Sequence, residues 1–134
     1  MKIFLVSDFE SGINFFPELK KEILSKILDI GIESFFVPTV LEIPAKAKEL
    51  AQKADVVFVF HAFEEFSFRQ EILLEKLVDL ELSSGKKIIK AVEEKEIDEN
   101  SRENEILEEK KALSKKYSEQ IVDWLFHPEK FVPK

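Results

Sequence analysis

The chain holds two histidines, and one of them, His61, follows directly on the apolar run of residues 55–60 (DVVFVF). An imidazole at the end of a buried strand is a natural group for moving a proton near neutral pH. A hydrogen-bonded core histidine and a subunit-interface histidine are the competing readings. Beyond it, Phe63, Phe66 and Phe68 form an apolar patch. Such a patch lines a pocket for an aromatic ligand or packs against a neighbouring subunit. Glu42 stands in Pro38-Thr39-Val40-Leu41-Glu42-Ile43-Pro44. There its carboxylate can accept hydrogen bonds from ligand hydroxyls, or complete a T-x-x-E capping box with Thr39, and a cap would also fix the side chain for a ligand. Phe9, in Ser7-Asp8-Phe9-Glu10-Ser11-Gly12, either stacks on a planar ligand or covers the core beneath its loop.

Other chemistries find no residues to carry them. The absence of cysteine removes thiol catalysis, zinc-thiolate sites and iron–sulfur clusters. Three glycines, at 12, 31 and 85, cannot build the phosphate cradles of G-x-G-x-x-G or Walker A type. No Ser/His/Asp arrangement is legible, and two histidines cannot supply a His-based zinc triad. Residues 93–109 contain nine acids and two bases, which read as a solvated face and helix start rather than a metal site. With 20 Lys+Arg against 27 Asp+Glu, the net charge of −7 disfavours nucleic acid as a partner. No apolar run approaches ~20 residues, so no membrane span is expected. Residues 1–6 are shorter than a secretory apolar region, and the chain reads as soluble and cytoplasmic. The richness in Lys and Glu fits a thermophile.

The elements that must position these residues alternate between strand and helix. Strands are expected at residues 2–7, 32–37, 55–60 and 86–92. Helices are expected at 15–30, from Thr39 to about Lys53, from Ser67 to about Ser84, and from about Asn100 to Trp124. Gly31 and Gly85 read as helix stops, which leaves Gly12 as the one loop glycine near a ligand. The Ser67–Gln70 run S-x-x-Q reads as a second capping box. In the last helix Ile106, Leu113, Tyr117, Ile121 and Trp124 share one face. Past Pro128 no further helical element is expected. Short βαβ connections imply one α/β domain of three layers (αβα), with a flavodoxin-like parallel sheet in the order 2-1-3-4. Ligands in such sheets bind beyond the carboxyl ends of the strands, which is where Phe9, Glu42 and His61 fall.

These residues carry a resemblance. Val37-Pro38-Thr39-Val40-Leu41-Glu42-Ile43-Pro44 resembles the V-P-G-x-x-[ED]-[IL]-P motif of the lumazine synthase superfamily. Val6-Ser7-Asp8-Phe9-Glu10 is similar to that family's first-strand loop, with Phe9 at the position of its Phe. The run Leu125-Phe126-His127-Pro128-Glu129-Lys130-Phe131 resembles the L-F-K-P-E-[YF] ending of the archaeal-type riboflavin synthase branch. The likeness covers nearly the whole chain. It implies a homopentamer with active sites between subunits. The implied reaction is the dismutation of two 6,7-dimethyl-8-ribityllumazine molecules, pteridine substrates, to riboflavin and a diaminopyrimidine by four-carbon transfer, with no cofactor.

By this resemblance Phe9 stacks on a pteridine ring, with Glu10 in the same loop. Glu42 and the backbone of Val40 and Leu41 hold ribityl hydroxyls. Ala62 and Phe63 contact the second ring, and residues 126–131, with His127 and Phe131, close the neighbour's site. The family has no histidine at position 61, so a catalytic His61 rests on the residue's own chemistry. Thr39 replaces the family's V-P-G glycine, and His61-Ala62-Phe63-Glu64 replaces G-M-P-G. Side chains project where glycines let a ligand approach, which keeps open a non-catalytic protein that binds flavin or lumazine or is purely structural. The 6,7-dimethyl-8-ribityllumazine synthase branch is a further alternative. It lacks support from its G-E-T-x-H run and from any basic cluster for a sugar phosphate. An unrelated phospho-receiver would need an aspartate ending strand three and a fifth strand.

Overall fold

The computed structural model describes residues 1–131. The chain is α/β, with four helices and one four-stranded, all-parallel sheet. The strands are β1 (Lys2–Asp8), β2 (Gly31–Val37), β3 (Val56–Phe63) and β4 (Lys87–Glu94), in the order β2-β1-β3-β4. This is the flavodoxin-like order expected from the sequence. The helices are α1 (Phe16–Lys26), α2 (Ile43–Ala51), α3 (Phe68–Ser84) and α4 (Glu103–Phe126). Among the described residues, no helix is long and apolar enough to cross a membrane.

The chain divides into two compact units. The first, residues 1–12 and 30–98, contains the sheet with α2 and α3. Its core alternates with the pleat: Phe4 and Val6 of β1, Val57 and Val59 of β3 and Ile88 of β4 pack with Ile43, Ala47 and Leu50 of α2 and Leu73, Leu77 and Leu80 of α3. Each large side chain buried in this way contributes roughly 1.5–3 kcal/mol. The parallel ladder between β1 and β3 is in register from Ile3↔Val56 to Val6↔Val59. The second unit, residues 13–29 with the segment from 99 onward, holds α1 and α4. Leu19 and Ile23 of α1 and Leu113, Tyr117 and Ile121 of α4 are buried. Phe15 lies 6.1 Å from Tyr117 between ring centroids, and Lys26 Nζ donates to Ser118 Oγ at 3.0 Å.

Several expected boundaries move, each for a local reason. Helix α1 stops at Lys26, not at residue 30, because buried Ile27 turns extended (φ −130, ψ 129). Gly31 is therefore not a helix stop. It opens β2 and donates its N–H to Met1 O at 2.8 Å, while Asp29 takes the left-handed turn at φ 56. Gly12 (φ 72) closes a 3₁₀ turn, Phe9–Ser11, through its N–H to Phe9 O. Gly85 (φ 69) ends α3 as expected. The helix expected from Thr39 begins as a 3₁₀ turn, Val40–Glu42, and becomes α-helical at Ile43. Pro44 has no N–H to return to the Val40 carbonyl, so a continuous α-helix from residue 40 would lack that bond. Past Pro128 the chain does form one more turn, the 3₁₀ helix Pro128–Phe131. A proline at the first position of a helical turn forfeits no bond.

The largest extension is in β3. It runs three residues beyond Phe60, and its ladder with β4 continues to Phe63↔Glu94. His61 and Ala62 are strand residues rather than loop residues. At the far end of β3–β4, Glu81 of α3 accepts hydrogen bonds from Ile88 N–H and Lys90 Nζ and pairs with Lys87 Nζ at 3.1 Å. Burial pushes the Glu81 carboxyl up, but the bonds from Lys90, Ile88 and Lys87 outweigh it and hold it below its ordinary value of 4.5. The bonus is present above that ordinary value and is lost as pH falls through the lowered one. Glu81→Gln should therefore cost about 1–2 kcal/mol at neutral pH. The gap between variant and wild type should close in acid, as read from denaturant midpoints at neutral pH and about pH 3.

Candidate functional site

The first unit reverses direction at β1: the chain crosses from β1 to β2 on one side, then to β3 on the other. A crevice at such a point, beyond the strand ends, is where open α/β sheets bind ligands. The β1–β3 register explains what lies there. Two residues past Val6↔Val59 on each strand come Asp8 and His61, on the same face as the core rows. Both are buried, at 1% and 2% exposure.

Asp8 Oδ1 accepts from His61 Nδ1 at 3.0 Å and from Ser11 Oγ at 2.5 Å. Ser11 Oγ in turn accepts the Ala62 N–H at 3.0 Å, which ties the turn after β1 to β3. The other imidazole nitrogen, Nε2, lies 3.1 Å from Gln70 Nε2. Gln70 Oε1 is occupied by Ser67 N–H (2.8 Å) and Ser67 Oγ (2.9 Å), the S-x-x-Q capping box of α3. The amide therefore presents its NH₂ to the ring, so His61 Nε2 accepts and Nδ1 carries the proton. His61 is neutral in this arrangement. The other carboxylate oxygen, Asp8 Oδ2, is buried without a hydrogen-bond partner.

The structure thus gathers Ser11, His61 and Asp8, a set not legible in the sequence, but not as a nucleophilic triad. In a triad serine and aspartate use opposite ring nitrogens. Here both approach Nδ1, since Ser11 Oγ lies 3.5 Å from that atom, and Ser11 is buried.

A cleft of about 430 Å³ opens over this network, lined by Glu10, His61, Phe63, Ser67, Arg69 and Lys95 among others. Glu10 Oε1 accepts from Arg69 Nη2 at 2.7 Å and from Val40 N–H at 2.9 Å. The Arg69 hydrogen bond, helped by Val40, holds the Glu10 carboxyl below its ordinary range against the opposing effect of burial. Phe9, which does not line the cleft, is 69% exposed and stacks on Phe36 at 5.7 Å and 26°. It does not cover the core. Glu42 Oε2 accepts from Thr39 N–H (3.0 Å) and Thr39 Oγ1 (3.2 Å), so the capping reading holds. Leu41 is exposed and Val40 is fully buried, with its N–H held by Glu10. Ala62 is buried, and Phe63 sits edge-on to Phe66 at 5.6 Å.

His127 and Phe131 lie in the second unit. Phe131 stacks flat on Trp124 at 4.1 Å, Lys130 Nζ donates to Asp123 at 3.0 Å, and exposed His127 lies 3.4 Å from Glu129. The tail is folded onto its own helix. Among the described residues, no group of three or more His, Cys, Asp or Glu is disposed as metal ligands. Sequence reasoning missed Asp8, Ser11, Arg69, Gln70 and Lys95 as site residues. The parallel register was the available signal for Asp8, because it pairs positions 53 apart (Val6↔Val59) and so sets 8 beside 61.

No protein-family model matches the chain, and no curated protein matches it.

Removing the Asp8 carboxylate strands the His61 Nδ1–H and the Ser11 hydroxyl in a dry site. Asp8→Ala should cost about 2–4 kcal/mol. Asp8→Asn, whose carbonyl still accepts, should cost well under half of that, as measured by urea midpoints.

Proposed function

We propose that the protein binds 6,7-dimethyl-8-ribityllumazine at the carboxyl ends of its strands and converts it to riboflavin, as a riboflavin synthase-like enzyme. The observation that carries this reading is the exposed Phe9 ring, stacked on Phe36 at the carboxyl ends of β1 and β2. An exposed phenyl ring at a ligand crevice, already held by a second ring, is a ready platform for a flat heterocycle. The motif likeness around Val37–Pro44 and the tail run supports the same reading. The reaction needs two rings held face to face, a methyl group deprotonated on one of them, and attack on the other. Holding the rings in register supplies much of the acceleration as proximity. Glu42 holds polyol hydroxyls, and His61 takes the methyl proton once its Nε2 lone pair is free. The assembly implied is a homopentamer.

A second reading, a protein that binds the pteridine or a flavin without turnover, is favoured by one observation. The His61 lone pair that would accept the proton is engaged by Gln70.

Purified protein incubated with 6,7-dimethyl-8-ribityllumazine should accumulate riboflavin above a protein-free control, followed by absorbance. Quenching of lumazine fluorescence without product selects the second reading, and neither signal rejects both. Phe9→Ala should weaken lumazine binding at least about tenfold, the order expected for losing one stacking partner. Its thermal midpoint should be unchanged, since the ring is exposed.

A further inference from the structure

The His61–Gln70–Ser67 chain has a property that does not depend on which ligand the cleft takes. Gln70 Oε1 accepts from the Ser67 N–H and hydroxyl, and its NH₂ faces His61 Nε2. The amide has one acceptor end, and both of its neighbours make demands on it. While His61 is neutral, both are met. An imidazolium carries a proton on Nε2 and confronts the amide NH₂ donor to donor. Relief comes by turning the amide, so that Oε1 accepts from His61. Ser67 Oγ can then accept from the amide, but the Ser67 backbone N–H cannot reverse its role and loses its partner.

We propose that the capping box of α3 and the protonation state of His61 form one pH-sensitive switch. Neutral His61 closes the N-terminal turn of α3 over the cleft, and protonated His61 opens it.

The charged groups near the ring come from each element packed against it. Asp8 of β1 bonds the ring, while Glu10, paired with Arg69, Glu64, paired with Lys95, and Glu65 line the cleft. Arg69 from α3 and Lys95 after β4 line it as well, and β4 sets uncharged Val92 beside the ring, with Lys90 and Glu94 two residues to either side on the same face. The amide is the group that keeps the ring neutral, and its grip is tied to the helix cap. The group left without a partner is the N–H of half-buried Ser67 at the cleft wall, and opening of the turn hands it to water.

The test is a histidine ¹⁵N titration with amide exchange, from about pH 8 to about pH 5. Exposed His127 is the internal reference. At the upper end His61 should show a protonated Nδ1 and a bare Nε2. As it gains its second proton, protection of the amides at residues 67–71 should fall about tenfold or more, while β3 amides stay protected. In Gln70→Glu a carboxylate accepts from both Ser67 and an imidazolium. His61 should then stay doubly protonated at pH 8, and the α3 turn should keep its protection throughout. The proposal is overturned if wild-type His61 is the Nε2–H tautomer at pH 8. It is equally overturned if His61 titrates with no change at residues 67–71. Both wild-type readouts stand even where the variant does not fold.

Discussion

The parallel pairing of β1 with β3 fixes nearly everything at the candidate site. A register that sets Val6 against Val59 sets Asp8 against His61 two residues on, where the strands begin to part. The two polar residues continue rows that are otherwise wholly apolar, and they are tolerated there because each meets the other. From that single contact the rest propagates. Ser11 joins the carboxylate and pins the turn after β1, Gln70 joins the ring, and through Gln70 the cap of α3 is placed. A slip of one residue between the two strands would leave these side chains on opposite faces of the sheet.

This arrangement also sets the chemical character of the site. A carboxylate behind an imidazole, with the far nitrogen aimed outward, is the disposition of a general base. Here the outward nitrogen meets an amide first. His61 holds the tautomer that a base requires, and Gln70 occupies its acceptor nitrogen, so any use of that lone pair depends on a side chain whose other duty is to start a helix.

Much of the architecture was legible in the sequence. The strand order follows from the alternation of strands and helices with short βαβ connections, and the S-x-x-Q box at Ser67 and the stop at Gly85 follow from local chemistry, because each of these two satisfies backbone groups within a few residues. What was illegible depended on partners far away in the chain. His61 looked like a strand terminus because it is polar. The strand continues to Phe63 because Asp8 and Gln70, 53 and 9 residues away, supply the bonds that water would have made. Gly31 looked like a helix stop, yet its role is to start β2 against Met1 and Lys2, a contact with no local signature. The exposure of Phe9 was undecidable, since a loop phenylalanine fits under or over its loop equally well. It is Phe36, across the β1–β2 ladder, that gives the ring something to rest on in the open.

Glu10 has a consequence of a different kind. Its one carboxylate reaches both the Val40 N–H after β2 and Arg69 at the start of α3. It thereby stitches three strand-end segments across the mouth of the sheet. Any hydroxyl that comes to the Val40 N–H must displace an acceptor already tethered at 2.9 Å, and a tethered group competes at a high effective concentration. Once displaced, the carboxylate no longer binds the loop after β2 to the helix across the sheet. Occupancy at one edge would thus be transmitted to the far side of the cleft by the loss of a crossbar, with no strand needing to move.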